Sequence, residues 1–192
     1  TGNLLSPYAI SKLVNEYYSG LYSSLYDIQT IGFRYFNVFG ERQDPQGAYA
    51  AVIPKFIDSI LQNKTPVIYG DGKQTRDFIY VKDIARMNTY AAINSVHKGS
   101  IVCNLAYGRG TSINSLFMEI ARELKWNHEP DYRAERKGDI KHSIADISKI
   151  KDKLSYNPQS TYSEGLINTI NWFKSNIKLH ADTSHGSGSI NN

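Results

Sequence analysis

Cysteine is almost absent from this chain of 192 residues. Cys103 is the only one, so no disulfide can form within the chain, and we expect a reducing compartment, the cytoplasm. No run of about 18 apolar residues occurs, and no membrane partner is therefore predicted. The first residues also lack the basic and then apolar pattern of a secretory signal.

The sequence also lacks a basic stripe and a metal-ligand pattern. Its net charge is +4, but Lys and Arg alternate with Asp and Glu along the chain, so a nucleic-acid surface is not predicted. The five histidines show no ligand spacing, and Cys103 lies in an apolar run, so we expect no metal site. The small positive excess is equally compatible with an anionic small ligand.

Several sequence motifs with known chemistry are missing too. There is no phosphate-binding P-loop, no Gly-x-Ser-x-Gly nucleophile and no glycine-rich dinucleotide loop. The pairs Gly70/Gly72 and Gly108/Gly110 are interpreted as simple turns. The chain begins with Thr1 rather than Met, which suggests a fragment or a processed start.

What is present is an alternation of helical and strand patterns, which predicts an α/β fold. Ser6 and Pro7 are typical of a helix start, and apolar residues then recur every four positions to about Tyr26, which predicts an apolar stripe on this helix. Residues 37–49 are predicted to be a loop, and a flexible tail is expected from about residue 177. We predict strands near 30–36, 66–69, 76–80, 101–106 and 131–133, and helices near 50–62, 82–94, 112–124, 146–153 and 160–174.

The first candidate for chemistry is the pair Tyr8 and Lys12. Positions four apart share one face of a helix, so the phenol and the ammonium group can reach the same site. A nearby cation favours the phenolate and lowers a tyrosine pKa from its usual value of about 10, which would make Tyr8 a general base. An ordinary exposed tyrosine and lysine would give the same spacing.

Seven stretches surround and follow this pair in a fixed order. They are 6–12, 34–40, 50–56, 69–72, 76–83, 104–108 and 136–139. Together they resemble the extended short-chain dehydrogenase/reductases, the family of NAD-dependent epimerases and dehydratases, over nearly all of residues 6 to 175. The resemblance implies the C-terminal part of a Rossmann-type, doubly wound sheet and a smaller α/β substrate-binding domain. Residues 1–47 would end the first, residues 48–176 would form mainly the second, and residues 177–192 would be the tail.

The resemblance also implies roles for individual residues. Tyr8 would be the catalytic acid/base, and Lys12 would tune it and hold the nicotinamide ribose of NAD. Both would therefore contact the cofactor, and Phe36 would lie near the nicotinamide.

The expected substrate is a UDP-sugar. Arg76 would bind its diphosphate, because a guanidinium donates to phosphate oxygens in pairs. Arg136 and Asp139 would contact the diphosphate and the ribose, and Val52 and Tyr69 would border the uracil. A solvated surface charge is the alternative for each arginine. The full expected set is Asn37, Val52, Tyr69, Arg76, Arg136, Asp139 and Ser143.

The function implied by the resemblance is 4-epimerisation of UDP-N-acetylhexosamines. Ser143 would border the sugar, and its small side chain would admit the N-acetyl group, although it could also be a plain strand residue. The family's NAD-binding half precedes the tyrosine helix, so this chain alone is expected to be inactive. A homodimer through that helix is expected as well. A 4,6-dehydratase, a non-catalytic sugar-nucleotide binder and a nucleic-acid binder remain as alternatives.

Overall fold

The computed structural model describes residues 6–47, 51–94, 97–136 and 138–183, and within them helices and strands alternate. The helices are α1 (Pro7–Tyr26), α2 (Val52–Leu61), α3 (Val81–Asn94), α4 (Ile113–Leu124), α5 (Ser148–Leu154) and α6 (Tyr162–Thr183). The strands are β1 (Thr30–Tyr35), β2 (Asn37–Phe39), β3 (Val67–Tyr69), β4 (Thr75–Tyr80), β5 (Ser100–Leu105), β6 (Gly110–Ser112), β7 (Asp131–Arg133) and β8 (His142–Ser143). The predicted α/β class is confirmed.

Parallel pairing dominates the described strands. β1 lies parallel to β5, β3 to β7, and β4 to both β2 and β8, while β6 runs antiparallel to β4. β4 therefore joins three other strands, with its first residues against β6 and β8 and its last residues against β2. Parallel strands are normally buried on both faces, and β4 fits this because Asp77, Phe78, Ile79 and Tyr80 are all buried.

Two helix starts follow the local signals in the sequence. The Ser6 side chain accepts a hydrogen bond from the Ala9 N–H at 3.1 Å, and Pro7 occupies the first turn of α1. The Ser112 hydroxyl accepts from the Ser115 N–H at 3.0 Å at the start of α4. Both predicted caps are confirmed, because a capping serine acts within one turn of itself.

Two short strands were not predicted, and a third was considered only as the alternative for one residue. β2 lies inside the predicted loop 37–49, β6 begins within the predicted turn at Gly110, and β8 contains Ser143, for which a strand position was the alternative. Each has two or three residues and exists through its pairing with β4, which is distant in sequence. Local patterns cannot reveal such strands. In addition, α6 is described to Thr183, past the expected start of the tail, and residues 184–192 lie outside the described residues.

The predicted apolar stripe on α1 is mostly exposed and does not pack against the sheet. Tyr17, Leu21 and Leu25 are 69%, 52% and 63% exposed. An α-helix advances about 100° per residue, so positions four apart drift by about 40° at each step and wind away from the sheet. The buried position is Ser23, whose hydroxyl donates to the Ile28 carbonyl oxygen at 2.7 Å.

The core consists of two clusters on the two sides of β4. One packs α2, α4 and α6 around β2 and β4, with Phe39, Phe78 and Leu116 among its members. The other lies between β5, α3 and α5 and includes Ile79 and Ile150. Because side chains alternate along a strand, Phe78 enters the first cluster and its neighbour Ile79 enters the second. No helix among the described residues is long and apolar enough to cross a membrane.

Candidate functional site

A cleft of about 250 Å³ opens on the side of β4 that faces the first cluster. Its apolar floor comes from the core, and its polar residues come from four different parts of the chain. The cleft is lined by Asn37, Val38, Phe39, Ala51, Val52, Ile53, Phe56, Val67, Ile68, Tyr69, Gln74, Arg76, Phe78, Ile113, Arg136 and Asp139. Six of the seven expected substrate residues lie in this set; Ser143 does not.

Arg76 is the most firmly held cation of the cleft. Its Nη2 donates to the Asp139 carboxylate at 2.8 Å, and its Nη1 donates to the carbonyl oxygens of Thr75 at 2.9 Å and Ile140 at 2.5 Å. The side chain is only 16% exposed. A guanidinium has five N–H donors, so about two remain without a partner among the described residues. They are available to an anionic ligand in the cleft.

A tight turn brings Arg136 and Asp139 to the rim. The Asp139 N–H donates to the Arg136 carbonyl oxygen at 3.1 Å, and Gly138 has a φ of +85°. That left-handed conformation has little steric cost for glycine. The Arg136 guanidinium carbon lies 3.7 Å from the centre of the Tyr69 ring. Arg136 also lowers the pKa of Tyr69 below its ordinary value, by hydrogen bonding and by its positive charge.

Two lining residues are held by the backbone of neighbouring elements. Asn37 Nδ2 donates to the Asp77 carbonyl oxygen at 3.3 Å, and Gln74 Nε2 donates to the Tyr69 carbonyl oxygen at 2.7 Å. Gln74 was not predicted, because a glutamine just before a strand has no motif of its own. The signal that could have found it is its place between Tyr69 and Arg76, since residues between two expected ligand-binding positions tend to share their pocket.

Asp77 also has a structural role in this region, and the sequence did not predict it. It is fully buried, and its carboxylate accepts N–H groups from Tyr107 at 2.9 Å, Gly108 at 3.0 Å and Ala145 at 3.1 Å. Burial raises the pKa of Asp77, and these backbone N–H groups act in the opposite direction without cancelling the effect. A buried carboxylate needs such donors, since an unpaired buried charge is costly.

Phe36 and Ser143 lie beside the cleft rather than in its lining. Phe36 precedes Asn37, is half-buried, and donates its N–H to the Leu105 carbonyl oxygen at 3.3 Å. Ser143 is half-buried in β8, directly opposite Arg76 in the parallel ladder. Its role at the sugar stays a prediction.

Tyr8 and Lys12 lie on one face of α1, as their spacing predicts. The Lys12 Nζ is 5.1 Å from the centre of the Tyr8 ring, and Tyr8 is 71% exposed. Neither lines the cleft. The two groups are accessible to a ligand, and their catalytic role stays a prediction.

No cluster of three or more His, Cys, Asp or Glu side chains suited to a metal ion occurs in the described part of the chain.

The sequence profile of the NAD dependent epimerase/dehydratase family matches residues 1–106. The chain belongs to this family. The resemblance found in the sequence is thereby confirmed.

Three members of the family illustrate the range of its relatives. The solved UDP-N-acetylglucosamine 4-epimerase of Methanobrevibacter ruminantium, in complex with UDP-N-acetylmuramic acid, is 48% identical with a TM-score of 0.84, over 90% of this chain and 55% of that one. The UDP-glucuronate 4-epimerase of Thermodesulfobacterium geofontis is 39% identical over 176 residues, 91% of this chain and 52% of the relative. The dTDP-glucose 4,6-dehydratase of Escherichia coli is 27% identical over 188 residues, 94% of this chain and 51% of the relative.

This chain thus spans about half the length of the curated family members that it matches.

Proposed function

We propose that the whole protein containing this chain is an NAD-dependent 4-epimerase of UDP-N-acetylhexosamines, and that this chain supplies the substrate cleft and the acid/base pair. The observation that carries the proposal is the cleft itself. It places Arg76, Arg136 and Tyr69 around one cavity, although they are separated by up to 67 positions in the sequence. The similarity to a UDP-N-acetylglucosamine 4-epimerase supports the choice of substrate class.

The cleft offers each part of a UDP-sugar a matching group. The free N–H donors of Arg76 suit the diphosphate, and its contacts with Asp139 and Ile140 fix the direction of the guanidinium before the ligand arrives. Tyr69 and Val52 offer a flat aromatic ring and an apolar side chain to a planar base. Asn37, with its amide held by the Asp77 carbonyl oxygen, is placed to accept or donate to the remaining polar groups.

Tyr8 is proposed to act as the acid/base. It takes the proton from the 4-hydroxyl of the sugar and returns a proton to the 4-oxygen when the epimeric alcohol forms. Lys12 favours the phenolate form needed for the first of these steps and donates to the ribose hydroxyls of the cofactor. When bound, NAD supplies a reversible hydride acceptor for C4.

The exposed position of Tyr8 and Lys12 fits such a cofactor. Both side chains project from α1 on one face, and the ammonium group lies close to the phenol ring. Phe36 would lie near the nicotinamide. These three residues would hold one end of NAD.

We further propose a homodimer through α1. Ile10, Val14, Tyr17, Leu21 and Leu25 are all exposed, and at about 100° per residue they form one stripe along the helix. Tyr8 and Lys12 lie roughly 140–180° around the helix from the middle of this stripe, so association would leave the acid/base pair free. An exposed apolar stripe of this kind marks an interaction surface.

The test is the reaction of the whole protein with NAD and UDP-N-acetylglucosamine, followed by NMR spectroscopy of the sugar. We expect UDP-N-acetylgalactosamine to form until the two epimers reach equilibrium. A 4-keto-6-deoxy sugar would identify a dehydratase instead. Binding of the UDP-sugar without any product would identify a non-catalytic binder. The matched control is Tyr8→Phe, which keeps the ring and removes the hydroxyl.

A further inference from the structure

β4 holds one short segment at the cleft with side chains from both faces of the strand. Residues 139–145, here called the rim segment, run along the first half of β4: the Thr75 N–H donates to the Lys141 carbonyl oxygen at 2.8 Å, and His142 and Ser143 pair with Thr75 and Arg76. The Arg76 side chain holds the beginning of this segment through Asp139 and Ile140. The end of the segment is held by Asp77.

The Asp77 side chain connects three parts of the chain by hydrogen bonds. Its Oδ2 accepts N–H groups from both Gly108 and Ala145, and its Oδ1 accepts the Tyr107 N–H. The carboxylate thus links β4 to the turn after β5 and to the end of the rim segment. Arg76 and Asp77 are neighbours, and their side chains leave β4 on opposite faces, so only Arg76 faces the cleft.

We propose that Asp77 is a positioning residue for ligand binding: by fixing the Ala145 end of the rim segment, it sets where Asp139 stands beside Arg76. This rests on the proposed binding of a UDP-sugar in the cleft. Asp77 touches no ligand and acts through the rim segment. Four lone pairs on a carboxylate can satisfy all three N–H groups, which no other side chain of this size can do.

Substitutions at Asp77 should have graded effects. The amide oxygen of Asp77→Asn can still accept from Gly108 and Ala145, but its NH₂ group would then face the Tyr107 N–H. Asp77→Ala leaves all three buried N–H groups without that acceptor. Losing hydrogen bonds to a charged group commonly changes a local folding equilibrium by a factor of about 10 or more. Because UDP is proposed to bind the anchored form of the rim segment, part of its binding free energy would then be used to restore that form, so Asp77→Ala should weaken UDP binding at least about 10-fold and Asp77→Asn less.

The matched control is Ile150→Ala. Ile150 is fully buried in the second cluster and is not part of the cleft lining, so its loss should destabilise the fold and leave the rim segment anchored. We expect its UDP affinity to stay within about twofold of that of the unsubstituted chain, since it makes no contact that the ligand needs.

The deciding experiment combines amide hydrogen exchange with titration of UDP, at a temperature where every variant is folded. In Asp77→Asn and Asp77→Ala, the amides of residues 107–108 and 139–145 should exchange about 10-fold faster or more, while Ile150→Ala leaves them protected. Unchanged exchange in the Asp77 variants, or equal loosening in Ile150→Ala, would overturn the proposal.

The exchange result does not depend on the ligand. Should the unsubstituted chain fail to bind UDP, the proposed function would fall, while local exchange would still decide whether Asp77 anchors the rim segment. If Asp77→Ala does not fold, Asp77→Asn gives the test. Local loosening with an unchanged UDP affinity would also overturn the positioning role.

Discussion

The cleft and helix α1 hold their candidate functional groups in different ways. In the cleft, Arg76 has three hydrogen-bond partners, and Arg136 stacks on an aromatic ring that comes from a different part of the chain. On α1, Tyr8 is 71% exposed, and the Lys12 ammonium group lies 5.1 Å from the centre of its ring. The cleft residues are therefore fixed before a ligand arrives, while the α1 pair is presented to solvent.

This difference separates two kinds of experiment. A preorganised cleft should bind nucleotide within the chain described here, because Arg76 and Arg136 are both held in place inside it. The acid/base pair has to be tested in the whole protein, where substrate and cofactor can both reach it. Substitutions in the two regions should accordingly affect different kinetic constants.

The largest effect is expected at Tyr8. In the whole protein, Tyr8→Phe should lower kcat by about 10²-fold or more and leave KM nearly unchanged, since general acid–base groups contribute that much and the substitution removes only the hydroxyl. Steady-state kinetics with UDP-N-acetylglucosamine provides the measurement. Near-full activity of Tyr8→Phe would remove Tyr8 from the mechanism.

A selective effect is expected at Ser143. In the whole protein, Ser143→Tyr should reduce kcat/KM for UDP-N-acetylglucosamine at least about 10-fold more than for UDP-glucose, because a bulky side chain excludes the larger sugar. Ser175→Tyr, on the exposed side of α6, is the control. Equal losses on both sugars, or no loss on either, would count against a specificity role for Ser143.

A charged residue introduced into the α1 stripe should weaken dimerisation. Leu21→Glu places a carboxylate in the middle of the proposed dimer contact and should weaken association of the whole protein about 10-fold or more. Ile93→Glu on α3, a position that is even more exposed and lies outside the stripe, should have no such effect. Light scattering during size-exclusion chromatography measures both. A monomeric unsubstituted protein, or a Leu21→Glu variant that stays dimeric, contradicts the dimer proposal.

The smallest effect is expected at the ion pair that links α1 to β1. Arg34 donates two hydrogen bonds of 2.6 Å to Glu16, and this lowers the pKa of Glu16 below its ordinary value of 4.5. A lowered pKa means that the ionised form stabilises the fold above that value and that this contribution is lost as the pH falls through the folded-state pKa. Glu16→Gln should therefore reduce the free energy of unfolding by about 0.5–1 kcal/mol at pH 7, as for other partly exposed pairs.

Urea denaturation at several pH values tests this, and the difference between Glu16→Gln and the unsubstituted chain should shrink below pH 4.5. Asp152→Asn, which removes an exposed pair with the adjacent Lys153, should change nothing measurable. A difference that persists at low pH would mean that Glu16 acts through packing.

The parts of the fold that sequence could predict are those set by nearby residues. The caps at Ser6 and Ser112 act over three positions, and the longer helices and strands have their own periodicity. β2, β6 and β8 depend on β4, and the exposed stripe of α1 depends on which face the sheet covers. Local patterns contain neither kind of information.

The site shows the same division. The family resemblance supplied six residues that the structure brings to one cleft, even though the Tyr69–Arg136 stack spans 67 positions. It supplied no role for Asp77 or Gln74. Gln74 contacts the backbone carbonyl oxygen of Tyr69, and Asp77 contacts backbone N–H groups such as that of Ala145. Backbone groups of this kind occur in nearly every residue type. Sequence alone could not show which of these groups would lie within hydrogen-bonding distance of the buried Asp77 carboxylate.

The most direct test of the cleft is calorimetric titration of UDP into the 192-residue chain, its Arg76→Ala variant and its Arg122→Ala variant. Arg122 lies on the exposed side of α4 outside the cleft, so Arg122→Ala changes the net charge equally and should bind UDP as the unsubstituted chain does. Arg76→Ala should bind at least about 10-fold more weakly, because a guanidinium hydrogen bond to phosphate is lost. No UDP binding by the unsubstituted chain, or equal affinities of all three proteins, would contradict a UDP-sugar site in this cleft.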